Sequence, residues 1–408
     1  MSLTTIEIDK IVNQAIKNLQ PEFAILDEIS LYNQQKVLSA FRDNKIALRH
    51  FNGTTGYGYD DEGRDALKRV YANVFKTESA VVSPNIVSGT HAISLGLYAI
   101  LQRGNRVLSI TGKPYDTLEE IISGNSLSLD ALSIKFDYVN LIDAEFDNDK
   151  IVEFLQKNKY DMVYIQRSRG YEERRAISVY QIEKAIKLCR ENGFEGCVFV
   201  DNCYGEFVEK DEPTAVGADL CVGSLIKNIG GGIAPTGGYL VGKEKYIHLV
   251  EARLTAPSIC GEVGSYAPGY QYFYQGLFLA PHVVNQALKG SMLLGFVMEQ
   301  LNYQTIPVAK EIPFDITRSV KLGDKQKLIS FIQSVQKVSP IDSFLSCEPW
   351  QMPGYSDEVI MAAGCFVQGA SIELSADAPI REPYIAYYQG GLTFEHSIIA
   401  IKEILSSL

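Results

Sequence analysis

Between about residue 64 and residue 242, short apolar runs alternate with stretches of helical periodicity. No other feature constrains the fold as strongly. A helix is expected over 64–76, a strand at "AVV" (80–82) and a helix from "SGTHAISLGLYAIL" (88–101). Strands follow at "RVLSI" (106–110) and "IKFDYV" (134–139), then a helix near 150 and the strand "DMVYIQ" (161–166). The next helix opens with Ser178 and Gln181, the spacing of a capping box. The strands "CVFVD" (197–201), "DLCVGS" (219–224) and "GGYLVG" (237–242) complete the series. Strands separated by helices are joined by crossovers rather than tight hairpins. The pattern therefore implies an α/β domain on a mainly parallel sheet flanked by helices.

The flanks read differently. Ile8, Ile11, Val12, Ala15, Ile16 and Leu19 fall at helical spacing, Pro21 breaks the run, and a second helix continues through Val37, Leu38 and Phe41. A glycine- and tyrosine-rich loop, "NGTTGYGYDDEG" (52–63), leads into the alternating region. Residues 245–300 are mostly helical. After about 305, short strands at "CFVQG", "SIELSA" and "YIAYYQ" surround one helix at 323–337, and a last helix closes the chain. This texture suggests a smaller α+β domain. The expected division is an N-terminal helical segment and arm at 1–55, a large α/β domain at 56–300 and a small C-terminal domain at 301–408.

Bulk properties narrow the function. The 408 residues carry a net charge of -11 with no basic tract, which argues against nucleic acid as a partner. The N-terminal "MSLTTIEIDK" lacks the pattern of a signal peptide, and the longest apolar stretch is too short to span a bilayer. The seven cysteines (189, 197, 203, 221, 260, 347 and 365) form no CxxC pair and no metal spacing with the five histidines. Free thiols in a reducing, cytoplasmic setting are the expectation.

Four places can carry chemistry. Asp201 ends an apolar strand, and strand C-termini face the ligand crevice in open α/β sheets. A carboxylate there can hold a protonated ring nitrogen, although Asp-Asn pairs are also common in turns. Ser88, Gly89 and Thr90 precede an apolar helix, whose first N–H groups and dipole favour a phosphate, or simply an ordinary N-cap. The segment has neither a Walker lysine nor a GxGxxG pattern. His91 follows, a residue more often structural at such a place. Tyr115 lies just past a strand end, where it can stack on a planar ring or pack on its neighbours. Lys227, in "SLIKNIGGGIAPTGG" (224–238), stands three residues after Ser224 and ahead of three glycines. It is either a solvated lysine before a loop or an amine placed to form an imine with a carbonyl cofactor.

Taken in order, these segments resemble the fold-type I pyridoxal-phosphate (PLP) enzymes related to cystathionine and methionine lyases. The group called methionine γ-lyase-like or aluminium-resistance proteins is the nearest match, through "GYGYDDEGRDALKRVYANVF", "SGTH", "QRSRGY", "VDNCYGEF", "GSLIKNIGGGIAPTGGY" and "REPYIAYYQGGL". The resemblance implies that Lys227 forms the imine to pyridoxal 5'-phosphate and that Asp201 pairs with the pyridine nitrogen. It implies a phosphate site at Ser88, Gly89, Thr90 and Ser224, with Tyr115 stacked on the ring. Arg381 would hold the substrate carboxylate, with Arg167 and Ser168 near the phenolic oxygen. Tyr57 and Tyr59, with Arg64 nearby, would stand in for the Tyr-Ser-Arg stretch that related lyases donate across a dimer. The implied activity is β- or γ-elimination at a C–S bond of a small sulfur-containing amino acid. Transamination, aldol cleavage, trans-sulfuration or a non-catalytic PLP-binding role would use the same core. A homodimer or homotetramer with active sites at the dimer interface is expected.

Overall fold

The computed structural model describes residues 4–352 and 355–408. In chain order the elements begin with α1 (Thr5–Asn18), α2 (Gln20–Asp43), α3 (Glu62–Val74), β1 (Ser79–Ser83), α4 (Gly89–Ile100), β2 (Arg106–Ser109), α5 (Glu119–Ile122) and β3 (Lys135–Tyr138). They continue with α6 (Asn148–Lys157), β4 (Met162–Gln166), α7 (Val179–Glu191), β5 (Cys197–Asp201), β6 (Leu220–Ser224), β7 (Gly238–Gly242), α8 (Glu244–Leu254) and α9 (Gln271–Gln300). The last third holds β8 (Gln304–Ile306), β9 (Thr317–Lys321), α10 (Lys325–Lys337), β10 (Val359–Ala362), β11 (Ser375–Pro379), β12 (Ile385–Gln389) and α11 (Phe394–Ser407).

Local chemistry sets several of these boundaries. Pro21 sits in the first turn of α2, where its missing N–H has no intrahelical partner to lose. The expected capping box opens α7: Gln181 N–H donates to Ser178 Oγ at 3.1 Å, and Ser178 N–H donates to Gln181 Oε1 at 2.9 Å. A second box, Thr4 with Glu7, opens α1.

The seven-stranded sheet has the order β1-β7-β6-β5-β4-β2-β3. The run β6-β5-β4-β2-β3 is parallel, while β7 is antiparallel to both β6 and β1. Every residue of β4, β5, β6 and β7 is buried, as a sheet covered on both faces requires. Alternation divides the two cores. Val163, Ile165, Val198, Val200 and Cys221 pack with Ile182, Ala185 and Cys189 of α7 and with α9. Met162, Tyr164, Phe199, Leu220 and Val222 pack on the other side with Ala92, Ile93 and Leu97 of α4 and Ile247 and Val250 of α8.

The second sheet is antiparallel throughout, in the order β10-β11-β12-β9-β8. The expected strand at "CFVQG" is instead a turn. The Glu373 carboxylate accepts the N–H groups of Phe366 and Val367, both at 2.9 Å, and curls the chain there. "SIELSA" becomes strand only from Ser375. β8, β9 and β10 were not expected from the sequence. Buried Arg169 joins the two sheets, donating to Thr317 O at 2.6 Å and Ser319 Oγ at 3.2 Å on β9.

Candidate active site

The C-terminal ends of β2, β4, β5 and β6 open on one side of the large sheet, and the segments that follow them line a cavity of about 600 Å³. The N-terminus of α4 and residues of β11 and β12 complete its walls. Ser88, Gly89, Thr90, Tyr115, Ser168, Asp201, Ser224, Lys227 and Arg381 all line it. Residues up to 293 positions apart in the chain are thus brought to one site by the strand ends and the facing sheet.

Ser88 is the N-cap of α4, its Oγ accepting from His91 N–H at 3.0 Å. The first N–H groups of the helix have no intrahelical acceptor and point out of its end. Gly89 leaves that end open. A Cβ built there would stand 3.4 Å from Ser224 Cβ, 3.5 Å from Cys203 Sγ and 3.9 Å from Lys227 Nζ. The helix terminus, the serine before the lysine and the lysine itself thus converge on one small volume. Thr90 Oγ lies 3.4 Å from both the Tyr115 hydroxyl and Thr117 Oγ.

Asp201 is 1% exposed at the end of β5, with Oδ1 accepting from Cys203 N–H at 3.1 Å. Burial raises its pKa, and the Lys227 charge and that N–H hold the rise back. Lys227 is half-buried at the cavity wall. Burial alone would favour the neutral amine, but acidic Cys203, Tyr204, Tyr115 and Asp201 surround it and drive its pKa up overall. Burial in turn holds the Cys203 thiol and the Tyr115 and Tyr204 hydroxyls protonated at neutral pH. Asp201 is therefore the anion that retains the lysine's proton.

These residues fit pyridoxal phosphate. An open helix N-terminus with two serines and a threonine suits a phosphate, and a buried carboxylate suits a protonated ring nitrogen. A half-buried amine beside the glycine cradle suits the aldehyde.

One expectation needs correction, and the other sequence candidates fall as follows. Arg167 does not reach the cavity: its guanidinium donates to Ile177 O, Asn202 Oδ1 and Gly205 O and pairs with Glu209, which braces the loop after β5. Tyr57 and Tyr59 lie outside this chain's own cavity, 68% and 59% exposed, their rings stacked at 5.4 Å. Arg64 is buried beneath them, donating to Gly58 O at 2.9 Å. Arg381 sits at the cavity wall, half exposed, with one nitrogen bonded to Asp357 at 2.9 Å. His91 is structural, Nδ1 accepting from Val87 N–H at 3.2 Å.

Sequence reasoning missed Tyr204, Asp377 and Glu206. Lys227 Nζ sits 4.1 Å over the centre of the Tyr204 ring, and Tyr204 holds φ at +70°, a strained value for a residue with a side chain. Glu206, fully buried, accepts from the Tyr239 hydroxyl at 2.7 Å. Both lie in the quoted "VDNCYGEF". A carboxylate five residues past a strand end, flanked by aromatic residues, was the available signal.

The family model for methionine gamma-lyase matches residues 8–408. The chain belongs to the methionine γ-lyase family. Among solved members of similar sequence, a Clostridium acetobutylicum protein described as a candidate cystathionine β-lyase involved in aluminium resistance is 48% identical. It aligns over 98% of this chain and 95% of its own, with a TM-score of 0.96. A carbon-sulfur lyase involved in aluminium resistance from Clostridium novyi NT is 49% identical over the same shares, at 0.94. The fold extends further, to the pyridoxal-5'-phosphate-dependent protein YhfS of Escherichia coli. That likeness is of fold alone, at 16% identity and a TM-score of 0.63 over 100% of this chain and 98% of the other. The methionine γ-lyase family and these neighbours place the chain in the fold-type I class and imply PLP chemistry in general terms. No helix among the described residues is long and apolar enough to cross a membrane.

Proposed function

We propose that this member of the methionine γ-lyase family is a PLP-dependent carbon–sulfur lyase. It opens the C–S bond of a sulfur-containing amino acid by β- or γ-elimination. The observation that carries the reading is the meeting of Lys227, Ser224 and the open end of α4 around Gly89, with Asp201 buried in the same cavity. Ser88, Gly89, Thr90 and Ser224 would hold the phosphate, Tyr115 the ring face, Asp201 the ring nitrogen, Ser168 the rim, and Lys227 the aldehyde carbon. When bound, the cofactor supplies an electron sink for the carbanion left at the substrate's Cα.

The chain's own groups do the rest. The Arg381 nitrogens not engaged by Asp357 orient the substrate carboxylate. Asp201 would face the ring nitrogen, and its charge would then no longer hold a proton on Lys227. The freed amine then acts as base at Cα. Asp201 keeps a proton on the ring nitrogen. The Tyr115 hydroxyl, held protonated by burial, donates to the departing thiolate. One water is consumed and the substrate's own amino group leaves as ammonium, so that the products are a thiol, a keto acid and ammonium.

We infer a homodimer, or a dimer of dimers, in a cytoplasmic setting. The exposed stacked pair Tyr57 and Tyr59 supports it, because two adjacent tyrosines outside their own cavity suit the mouth of a neighbour's. Light scattering should give a mass of two or four chains, and a monomer with full cofactor content would count against this assembly. The activity itself is tested by incubating the cofactor-loaded protein with cystathionine, cystine and methionine. At least one should yield thiol, keto acid and ammonium in equal amounts. A protein that binds the cofactor yet releases keto acid from none of them would overturn the lyase reading.

A further inference from the structure

The cavity wall built from the second sheet carries an acid with no part in the chemistry above. Asp377 lies on β11 directly across from Tyr387 on β12. Side chains alternate along a strand, so Asp377, Tyr387 and Gln389 share the face toward the cavity, while Ala376, Ala378, Ala386 and Tyr388 go into the core. Gln389 Nε2 donates to Asp377 Oδ2 at 3.1 Å. Among the described residues no lysine, arginine or histidine pairs with it, and Arg381, four residues on, is engaged by Asp357. Its neighbours are the neutral Gln389 amide and the Tyr171 hydroxyl. Burial therefore dominates, and the carboxyl is pushed up to about 7. A partly buried carboxylate at a cavity wall without a cation is a costly arrangement that a positively charged ligand would relieve.

The surroundings favour such a ligand. The rings of Tyr171 and Tyr355 lie 5.9 Å apart, and those of Tyr171 and Tyr387 lie 5.0 Å apart. All three line the cavity beside Asp377. Aromatic faces around a carboxylate attract a cation through their quadrupoles as well as its charge. The Tyr204 ring lines the same cavity and feels both charged groups: the Lys227 charge lowers its pKa and the Asp377 charge raises it. The acid is on the wall built from the second sheet and Lys227 on the wall built from the large sheet, and the departing half of a substrate would extend toward the acid.

Resting on the lyase reading, we propose that Asp377, ringed by Tyr171, Tyr355 and Tyr387, binds a positively charged group on the departing half of the substrate. The preferred substrates are then thioethers of cysteine or homocysteine whose leaving thiol carries a primary ammonium. With S-(2-aminoethyl)-L-cysteine the C–S bond breaks and one water is consumed. The products are 2-aminoethanethiol, pyruvate and ammonium, and the homocysteine homologue gives 2-oxobutyrate in place of pyruvate. Thioethers with neutral alkyl leaving groups lack the contact.

The test compares S-(2-aminoethyl)-L-cysteine with S-propyl-L-cysteine, which matches it in length without the charge. In the wild-type holoenzyme kcat/KM should favour the amine by about 30-fold, the range of a charge-assisted contact. In Asp377→Asn the ratio should fall to within about threefold of unity, with S-propyl-L-cysteine little changed. Calorimetric binding of both compounds to Lys227→Ala in the presence of PLP gives a readout independent of turnover and should show the same preference. Turnover of both compounds at equal efficiency by the wild type overturns the site and leaves the lyase reading standing. So does a preference that survives in Asp377→Asn. Selective binding of the amine with no thiol or keto acid from either compound supports the site and overturns the lyase reading. Failure of Lys227→Ala to bind either compound more tightly than the other overturns the site.

Discussion

At the scale of single residues, burial sets the charge states. Glu206 is fully enclosed and its carboxyl rises to about 8, because burial outweighs the Tyr239 hydroxyl that solvates it and the nearby Glu212 adds repulsion. A folded-state pKa above the unfolded value of a glutamate means the native state binds more protons between the two. The cost of Glu206 is absent below about pH 4.5 and grows as pH rises through 8. Glu206→Gln should therefore flatten the decline in melting temperature between pH 6 and pH 9 by several degrees, read by differential scanning calorimetry. A variant with the wild-type slope would show that the group is already ionised in the native protein. Lys227 and Asp201 could be singled out in the sequence by their places at a strand end and before a glycine-rich turn, although each alone had an ordinary use and only the order of the segments and the resemblance gave them roles. The opposite sign of the amine's shift was not legible. It depends on the Asp201 charge, which reaches the amine only in the folded cavity.

At the scale of elements, the N-terminus of α4 does two jobs, and Gly89 separates them. A Cβ at this position meets nothing closer than 3.4 Å, so Gly89→Ala is compatible with the fold and removes a flexible residue from a helix start. The same methyl would occupy the space between Ser224 and Lys227. The cofactor-free melting temperature should stay within about 2 °C of wild type. Cofactor affinity, titrated by absorbance, should fall by at least about tenfold. Unchanged affinity would remove α4 from the phosphate site. Helix starts such as Ser178 were readable because a cap and its partner lie three residues apart. The strands β8, β9 and β10 were not. β8 and β10 are only three and four residues long, and polar Thr317, Arg318 and Ser319 are buried in β9 through partners far away in sequence. Conversely, "CFVQG" has a strand's composition, yet Glu373 claims its backbone donors and Phe366 is left 66% exposed.

For the whole molecule, the cavity exists because two sheets face each other, and few polar contacts set their distance. Arg169 on the large-sheet side reaches β9, and the Tyr387 hydroxyl on β12 donates to Tyr171 O at 2.7 Å. Arg169 also offsets the buried charge of Asp315. Arg169→Met should cost about 3 kcal/mol in urea unfolding, because an uncompensated buried acid remains. A loss below about 0.5 kcal/mol would mean that apolar packing alone holds the sheets together. The parallel sheet was visible as a repeating pattern. The placement of Asp377 and Arg381 against Lys227 was not, because no local spacing records how the second sheet docks on the first.

The central claim is that Lys227 joins pyridoxal phosphate. The most direct measurement is borohydride reduction of the cofactor-loaded protein followed by peptide mapping. The account predicts a phosphopyridoxyl group on the peptide carrying Lys227, absent from Lys227→Ala. A label on another lysine, or none on a protein shown to contain the cofactor, would contradict it.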